Sequence, residues 1–162
     1  MSVLQKIVSR EELLARAKER RAAGQRMAFT NGCFDLLHVG HARYLEAARR
    51  EADYLVVAIN SDASVARIKD PRRPILPEDQ RARVLAGLRS VDFVTVFDED
   101  DPIALLRQLR PEILVKGANY AIEGVVGREA VWEYGGEVKT LALTHGASTT
   151  HIVERILAKN RP

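Results

Sequence analysis

Residues Met27 to Ile59 read MAFTNGCFDLLHVGHARYLEAARREADYLVVAI. Met27–Thr30 is a short apolar run that fits a strand, and Val39–Glu51 reads as a helix. Tyr54–Ile59 is apolar at every position, the pattern of a strand covered on both faces. Strand, helix and strand in that order make a βαβ unit, and a βαβ unit implies parallel strands. The alternation continues in both directions. Upstream, Ser9 followed by Glu12 predicts a capping box for a helix that runs to about Ala23 and stops at Gly24.

Downstream, SDASVARIK starts a helix capped by Ser61 or Asp62, and Pro77 suits the first position of PEDQRARVLAGLR. VDFVTVF is a third strand, Pro102 opens a helix ending before Pro111, and EILVKG is a fourth strand. Arg128–Tyr134 is helical up to Gly135-Gly136, EVKTLAL is a fifth strand, and STTHIVERILAK closes the chain as a helix. The expectation is one α/β domain over 1–162, a doubly wound five-stranded parallel sheet. Residues 1–24 form its N-terminal helix region and 25–162 its core.

Composition narrows the function classes. The 162 residues are 46% apolar and 29% charged, with one cysteine, so no intrachain disulfide and no cysteine zinc cage can form. The longest apolar run is too short to span a bilayer, and the charged N-terminus lacks a secretory signal's apolar centre. The expected address is the cytoplasm, with no membrane partner. A net charge of +3 admits nucleic acid as a rival partner, but aromatics are only 6% and are not interleaved with the basic residues. The densest basic cluster, Arg67, Lys69, Arg72 and Arg73, is local and fits a small polyanion better than a duplex.

In doubly wound sheets, ligands bind beyond the carboxyl ends of the strands. NGCFDLLHVGH, NSD, DEDDP, KGANY and THGAST follow strands one to five respectively, so they are expected to form one site. His38 and His41 admit three readings: metal ligands, catalytic bases, or hydrogen-bond donors to an anion. A metal needs a third ligand, for which only Cys33 and Asp35 are near, and the zincin spacing is absent. A nucleophilic Cys33–histidine pair is weaker, since Cys33 sits beside a strand end where it can simply pack. The position favours the anion reading: a glycine-bearing turn leads into a helix N-terminus, where backbone N–H groups and the dipole attract phosphate. Gly32 and Gly40 are expected to admit a ligand close to the backbone.

GCFDLLHVGHARYL resembles the HxGH signature of the nucleotidyltransferase superfamily related to the cytidylyltransferases. NGCFDLLHVGH, NSDASVARIK, RPILPEDQR, VDFVTVF, LVKGANY and GASTT follow the order and approximate spacing of one branch. That branch is the D-glycero-β-D-manno-heptose 1-phosphate adenylyltransferases, and the likeness covers roughly Ser9 to Leu157. The resemblance implies a Rossmann-like fold and AMP transfer from ATP to the heptose 1-phosphate. Pyrophosphate leaves, and Mg²⁺ is bound mainly through the ATP phosphates, with no residue of the chain assigned to it as a metal ligand. The reaction serves ADP-heptose synthesis for lipopolysaccharide. Many relatives fuse this domain to a sugar kinase, so the resemblance implies a stand-alone transferase here, one compatible with a homo-oligomer. The alternative is a cytidylyltransferase acting on a small alcohol phosphate such as glycerol 3-phosphate. The non-enzyme rival is a nucleotide-sensing or nucleic-acid-binding domain with the same fold.

By the same resemblance, His38, His41 and Lys69 are catalytic, the histidines donating to the triphosphate and Lys69 neutralising the α-phosphate. Asn31, Gly32, Cys33 and Phe34 hold the nucleotide together with the histidines. Lys116, Gly117 and Asn119 edge its pocket, and Gly146, Ser148, Thr149 and Thr150 form a second phosphate-binding helix start. Asp35, Arg67, Lys69, Arg72, Arg73 and Arg81 are expected at the sugar phosphate, although a surface ion pair with Glu78 is the plainer reading of Arg81. Relatives often carry Asp at the position of Asn119. Glycerol-phosphate cytidylyltransferases carry an arginine before GxSTT, where this chain has Leu143-Thr144-His145, which favours the heptose branch.

Overall fold

The structure, a computed structural model, describes residues 2–117, 121–142 and 148–160. Five strands, β1 (Met27–Gly32), β2 (Tyr54–Asn60), β3 (Phe93–Phe97), β4 (Ile113–Gly117) and β5 (Glu137–Leu141), form one sheet in the order β3-β2-β1-β4-β5. Every neighbouring pair is parallel. The helices are α1 (Arg10–Ala22), α2 (Val39–Arg49), α3 (Asp62–Ile68), α4 (Glu78–Ala86), α5 (Ile103–Leu109), α6 (Arg128–Glu133) and α7 (Thr149–Lys159). The chain steps outward from β1 to β3, then returns across β1 to begin β4. The crevice between the ends of β1 and β4 is therefore the topological switch point.

All seven residues of β2 are buried, as the unbroken apolar run requires of a strand with helices on both sides. Alternation then sorts side chains between the layers. Met27, Phe29, Tyr54 and Val56 join Leu13, Leu105 and Val131 under α1, α5 and α6. Ala28, Leu55 and Val57 join Leu45, Ala48 and Leu85 under α2 and α4. Leu13 is fully buried, a contribution of about 1.5–3 kcal/mol, and it ties the N-terminal helix into the main core. Ile7 bridges to Val94 and shortens the open edge at β3.

The helix boundaries follow local chemistry. Ser9 caps α1 by accepting from the Glu12 amide, but Glu12 turns its carboxylate to Arg16 instead of completing the reciprocal box. Gly24, at φ +76°, supplies the left-handed stop. Ser61 caps α3. Pro77 and Pro102 sit at N-cap positions, one residue before the expected first helical position. β1 runs two residues beyond Thr30, because Asn31 and Gly32 keep pairing with Ala58 and Ile59. β5 ends at Leu141; Ala142 follows outside the strand, and Leu143, the last residue of EVKTLAL, lies outside the described residues.

Candidate active site

The prolonged β1 ends in a sharp turn. Phe34 adopts φ +47°, a left-handed conformation unusual for a non-glycine residue. Its ring lies where a side chain on Gly32 would begin, 3.1 Å from the position of an added Cβ. A side chain on Gly32 would therefore crowd the Phe34 ring, and Gly40 is buried inside α2. The Phe34 ring centre lies 5.3 Å from that of His41.

His38 is the N-cap of α2 without a side-chain capping bond, and His41 lies in its first turn. That spacing stacks the two imidazoles, with ring centres 3.9 Å apart and planes inclined by 26°. Burial holds the His38 pKa below its ordinary value. Burial, with the neighbouring His38 as a lesser cause, pushes His41 down to about 4. Both rings are therefore neutral near pH 7. Among the described residues neither buried Nδ1 has a hydrogen-bond partner. A neutral imidazole carries one N–H; placing it on Nε2 avoids a buried, unpaired donor and keeps one donor per ring for a ligand. With neither a charge to give nor a carboxylate behind it, the pair suits hydrogen-bond donation to an anion.

A cleft of about 710 Å³ opens beside His41 at the switch point. Its floor includes Asn31, Gly32 and Cys33 from the end of β1, with Lys116 and Gly117 from the end of β4. The Lys116 ammonium donates to the Asn31 carbonyl at 3.0 Å and its side-chain oxygen at 2.5 Å, with no carboxylate partner among the described residues. Burial lowers its pKa to about 8. Lys69 and Arg73 form a second wall, and Asp100 and Asp101 follow β3 on the rim. Thr149 and Thr150 bring the start of α7 to the same cleft, where the Thr149 hydroxyl donates to the Leu36 carbonyl at 3.1 Å. Segments following all five strands thus meet in one place.

Several expected ligands stand elsewhere. Arg81 is wholly buried and donates to the carbonyls of Leu76, Cys33 and Asn60 and to the Asp62 carboxylate. It is an internal strut rather than a sugar-phosphate ligand, and its ion pair is with Asp62 rather than Glu78. Arg67 turns to Asp98 and Asp100, while Arg72 folds back onto Asp70. Neither lines the cleft, because a nearer carboxylate holds each guanidinium. Asp35 lies at the edge of the cleft, but its buried carboxylate is taken up by donors of the segment that follows α3. Ser148 caps α7 through the His151 amide. Asn119 and Gly146 lie outside the described residues.

Two parts of the cleft were not among the expected site residues. Tyr44 lines it, linked to Thr30 and to the Val115 carbonyl, each at 2.9 Å. Its signal was helical spacing: three residues after His41, it shares that face of α2. Val125 and Val126 supply an apolar wall after the short 3₁₀ turn Ile122–Gly124, which no periodicity announces.

A family model described as cytidylyltransferase-like matches residues 29–155. The "Bifunctional protein HldE" of Syntrophotalea carbinolica is 53% identical over 152 residues, covering 94% of this chain and 31% of that protein. Its namesake from Trichlorobacter lovleyi is 49% identical, over 95% of this chain and 31% of the relative. The chain thus spans about a third of the length of these relatives. Among solved structures, the lipopolysaccharide core biosynthesis protein from Thermoplasma volcanium superposes with a TM-score of 0.61 at 27% identity, covering 75% of this chain and 98% of that one. A pantoate-beta-alanine ligase from Francisella tularensis, at 16% identity and a TM-score of 0.59, shares the fold over 86% of this chain and 67% of its own.

Proposed function

We propose, for a chain that belongs to the cytidylyltransferase-like family, that it transfers AMP from ATP to D-glycero-β-D-manno-heptose 1-phosphate and releases pyrophosphate. The observation that carries this reading is the neutral, stacked histidine pair with unpartnered Nδ1 atoms, set at a helix start beside a cleft that holds Lys69, Arg73 and Lys116. An oxygen of the sugar phosphate attacks the α-phosphorus. The bond to the bridging oxygen breaks, and pyrophosphate carries away the electron pair. The attacking oxygen is ionised near pH 7, so no side chain need remove a proton. The chain's part is positioning and stabilisation of charge on the five-coordinate phosphorus.

His38 and His41 donate to the triphosphate, Lys69 neutralises the α-phosphate, and Arg73 takes the acceptor. The starts of α2 and α7 add their amide dipoles. Among the described residues no three carboxylate, imidazole or thiolate groups converge. Mg²⁺, held chiefly by triphosphate oxygens, would supply charge neutralisation there, with Asp100 and Asp101 nearby on the rim. The heptose acceptor is supported by the ordered motifs from NGCFDLLHVGH to GASTT. It also suits the likeness to the Thermoplasma volcanium lipopolysaccharide core biosynthesis protein.

Pyrophosphate release tests the reading directly. ATP with the heptose 1-phosphate should turn over at least tenfold more efficiently, by kcat/KM, than CTP with the same acceptor, and glycerol 3-phosphate should be inert. A tenfold preference for CTP, or comparable turnover of glycerol 3-phosphate, would move the chain to the cytidylyltransferase alternative.

Lys116 gives the same site a pH signature. Its charge is present below about pH 8 and lost as pH rises through that value, because the folded-state pKa is depressed. An anionic nucleotide restores the proton's advantage, so ATP binding near pH 8 should take up protons and weaken at higher pH. Calorimetry in buffers of different ionisation enthalpy measures both effects. Lys116→Met should abolish the uptake; unchanged uptake would remove Lys116 from the nucleotide site.

A further inference from the structure

Asp35 has a side chain only 1% exposed, yet it sits on the turn between β1 and His38 at the edge of the cleft. Every donor it accepts from belongs to one segment, the strap between α3 and α4. Arg73 Nε donates at 2.6 Å, the Ile75 amide is shared between both oxygens at 2.9 Å, and the Leu76 amide donates at 2.9 Å. The strap also carries Lys69 and Asp70 along the cleft wall. One buried carboxylate therefore registers the wall bearing the cleft's cations against the loop bearing the histidines.

Resting on the adenylyltransferase reading, we infer that Asp35 is the positioning residue for the acceptor phosphate: it holds Arg73 from behind and aims it into the cleft. Only Nε of Arg73 is engaged by Asp35, and among the described residues its two terminal nitrogens, with four N–H bonds, have no other partner and can meet an anion in fork geometry. A lysine at position 73 has no such division of labour, since its single ammonium would serve either Asp35 or the phosphate. Asp35 itself, fully covered by the strap, touches no substrate. The expected recognition of sugar phosphate by Asp35 and Arg73 as two separate ligands becomes a relay in which one orients the other.

The test separates acceptor from donor. In Arg73→Ala, the KM for the heptose 1-phosphate should rise by more than tenfold while the KM for ATP changes by less than threefold. Methylguanidinium at millimolar concentration should restore much of the acceptor turnover, because Asp35 still offers a seat for it. Asp35→Asn should show the same acceptor-selective KM increase, and Arg73→Ala combined with Asp35→Asn should lose the chemical rescue. Because Asp35→Asn also weakens the strap's amide contacts and can impair folding, Arg73→Ala with rescue stands as an independent arm. Equal KM increases for ATP and acceptor, a normal acceptor KM in Arg73→Ala, or rescue that ignores Asp35 would each overturn the inference. If the unaltered protein itself fails to use a heptose 1-phosphate, the adenylyltransferase reading fails instead.

Discussion

His41→Ala and Lys69→Ala should each lower kcat by about 10²- to 10³-fold, the usual loss when one preorganised donor to developing charge is removed. Both groups are assigned to charge that grows as the α-phosphate becomes five-coordinate. Ground-state ATP keeps Lys116, the two helix starts and its Mg²⁺, so its dissociation constant should rise less than the rate falls. The stability of His41→Ala should hardly change for a specific reason. The substitution gives up packing against Phe34 and His38, but it also removes a buried nitrogen that has no partner among the described residues. Lys69 is exposed and forms no ion pair among the described residues, so its loss has no structural cost either. Single-turnover rates, nucleotide affinity and melting curves read the three quantities separately. Near-normal turnover in both variants would refute this assignment of the site, and a large drop in melting temperature for His41→Ala would mark it as a packing residue.

The sheet was legible because its signals are local. Tyr54–Ile59 announces a doubly covered strand by composition alone, and Ser9, Gly24 and Ser61 mark helix ends through bonds that span only a few residues. The histidine pair was equally legible, since a spacing of three on a helix fixes proximity without knowledge of the rest of the fold. The arginines were not. Arg67, Arg72, Arg73 and Arg81 look alike in sequence, and what separates them is the nearest carboxylate in space. For Arg72 that is Asp70, two residues away; for Arg67 and Arg81 it is Asp100 and Asp62, brought close by the ends of β3 and β2. A guanidinium already held by carboxylate and carbonyl oxygens is poorly placed to receive phosphate. Of the four, only Arg73, whose partner occupies one edge of the fork, retains both a fixed direction and donors that are free among the described residues. Distinguishing the four requires the tertiary path of the chain, which periodicity and motif order do not contain.

Arg81→Ala should be the most destabilising single substitution at the periphery of the site, by about 3–5 kcal/mol, the scale of a large buried side chain lost together with the donor to several buried acceptors. The side chain is fully buried and reaches four different places. It donates to the Leu76 carbonyl at 3.0 Å, the Cys33 carbonyl at 2.6 Å, the Asn60 carbonyl at 2.9 Å and the Asp62 carboxylate at 2.7 Å. Those acceptors lie at the entry to α4, on the turn after β1, at the end of β2 and at the start of α3. Truncation leaves three carbonyl oxygens and a part-buried carboxylate without their donor, and it opens a void the length of an arginine side chain. In a domain of this size, such a loss corresponds to a fall of roughly 6–20 °C in melting temperature at about 2–4 °C per kcal/mol. Arg81→Lys should recover only part of it, because one ammonium has three donors and cannot span acceptors arranged for a planar fork. Activity below the new transition should persist, with the ATP and acceptor KM values raised together as the turn after β1 loosens. A sugar-phosphate ligand would behave in the opposite way, with an unchanged melting temperature and a KM increase confined to the acceptor. That pattern in Arg81→Ala would return the residue to the substrate site and leave the buried strut without a function.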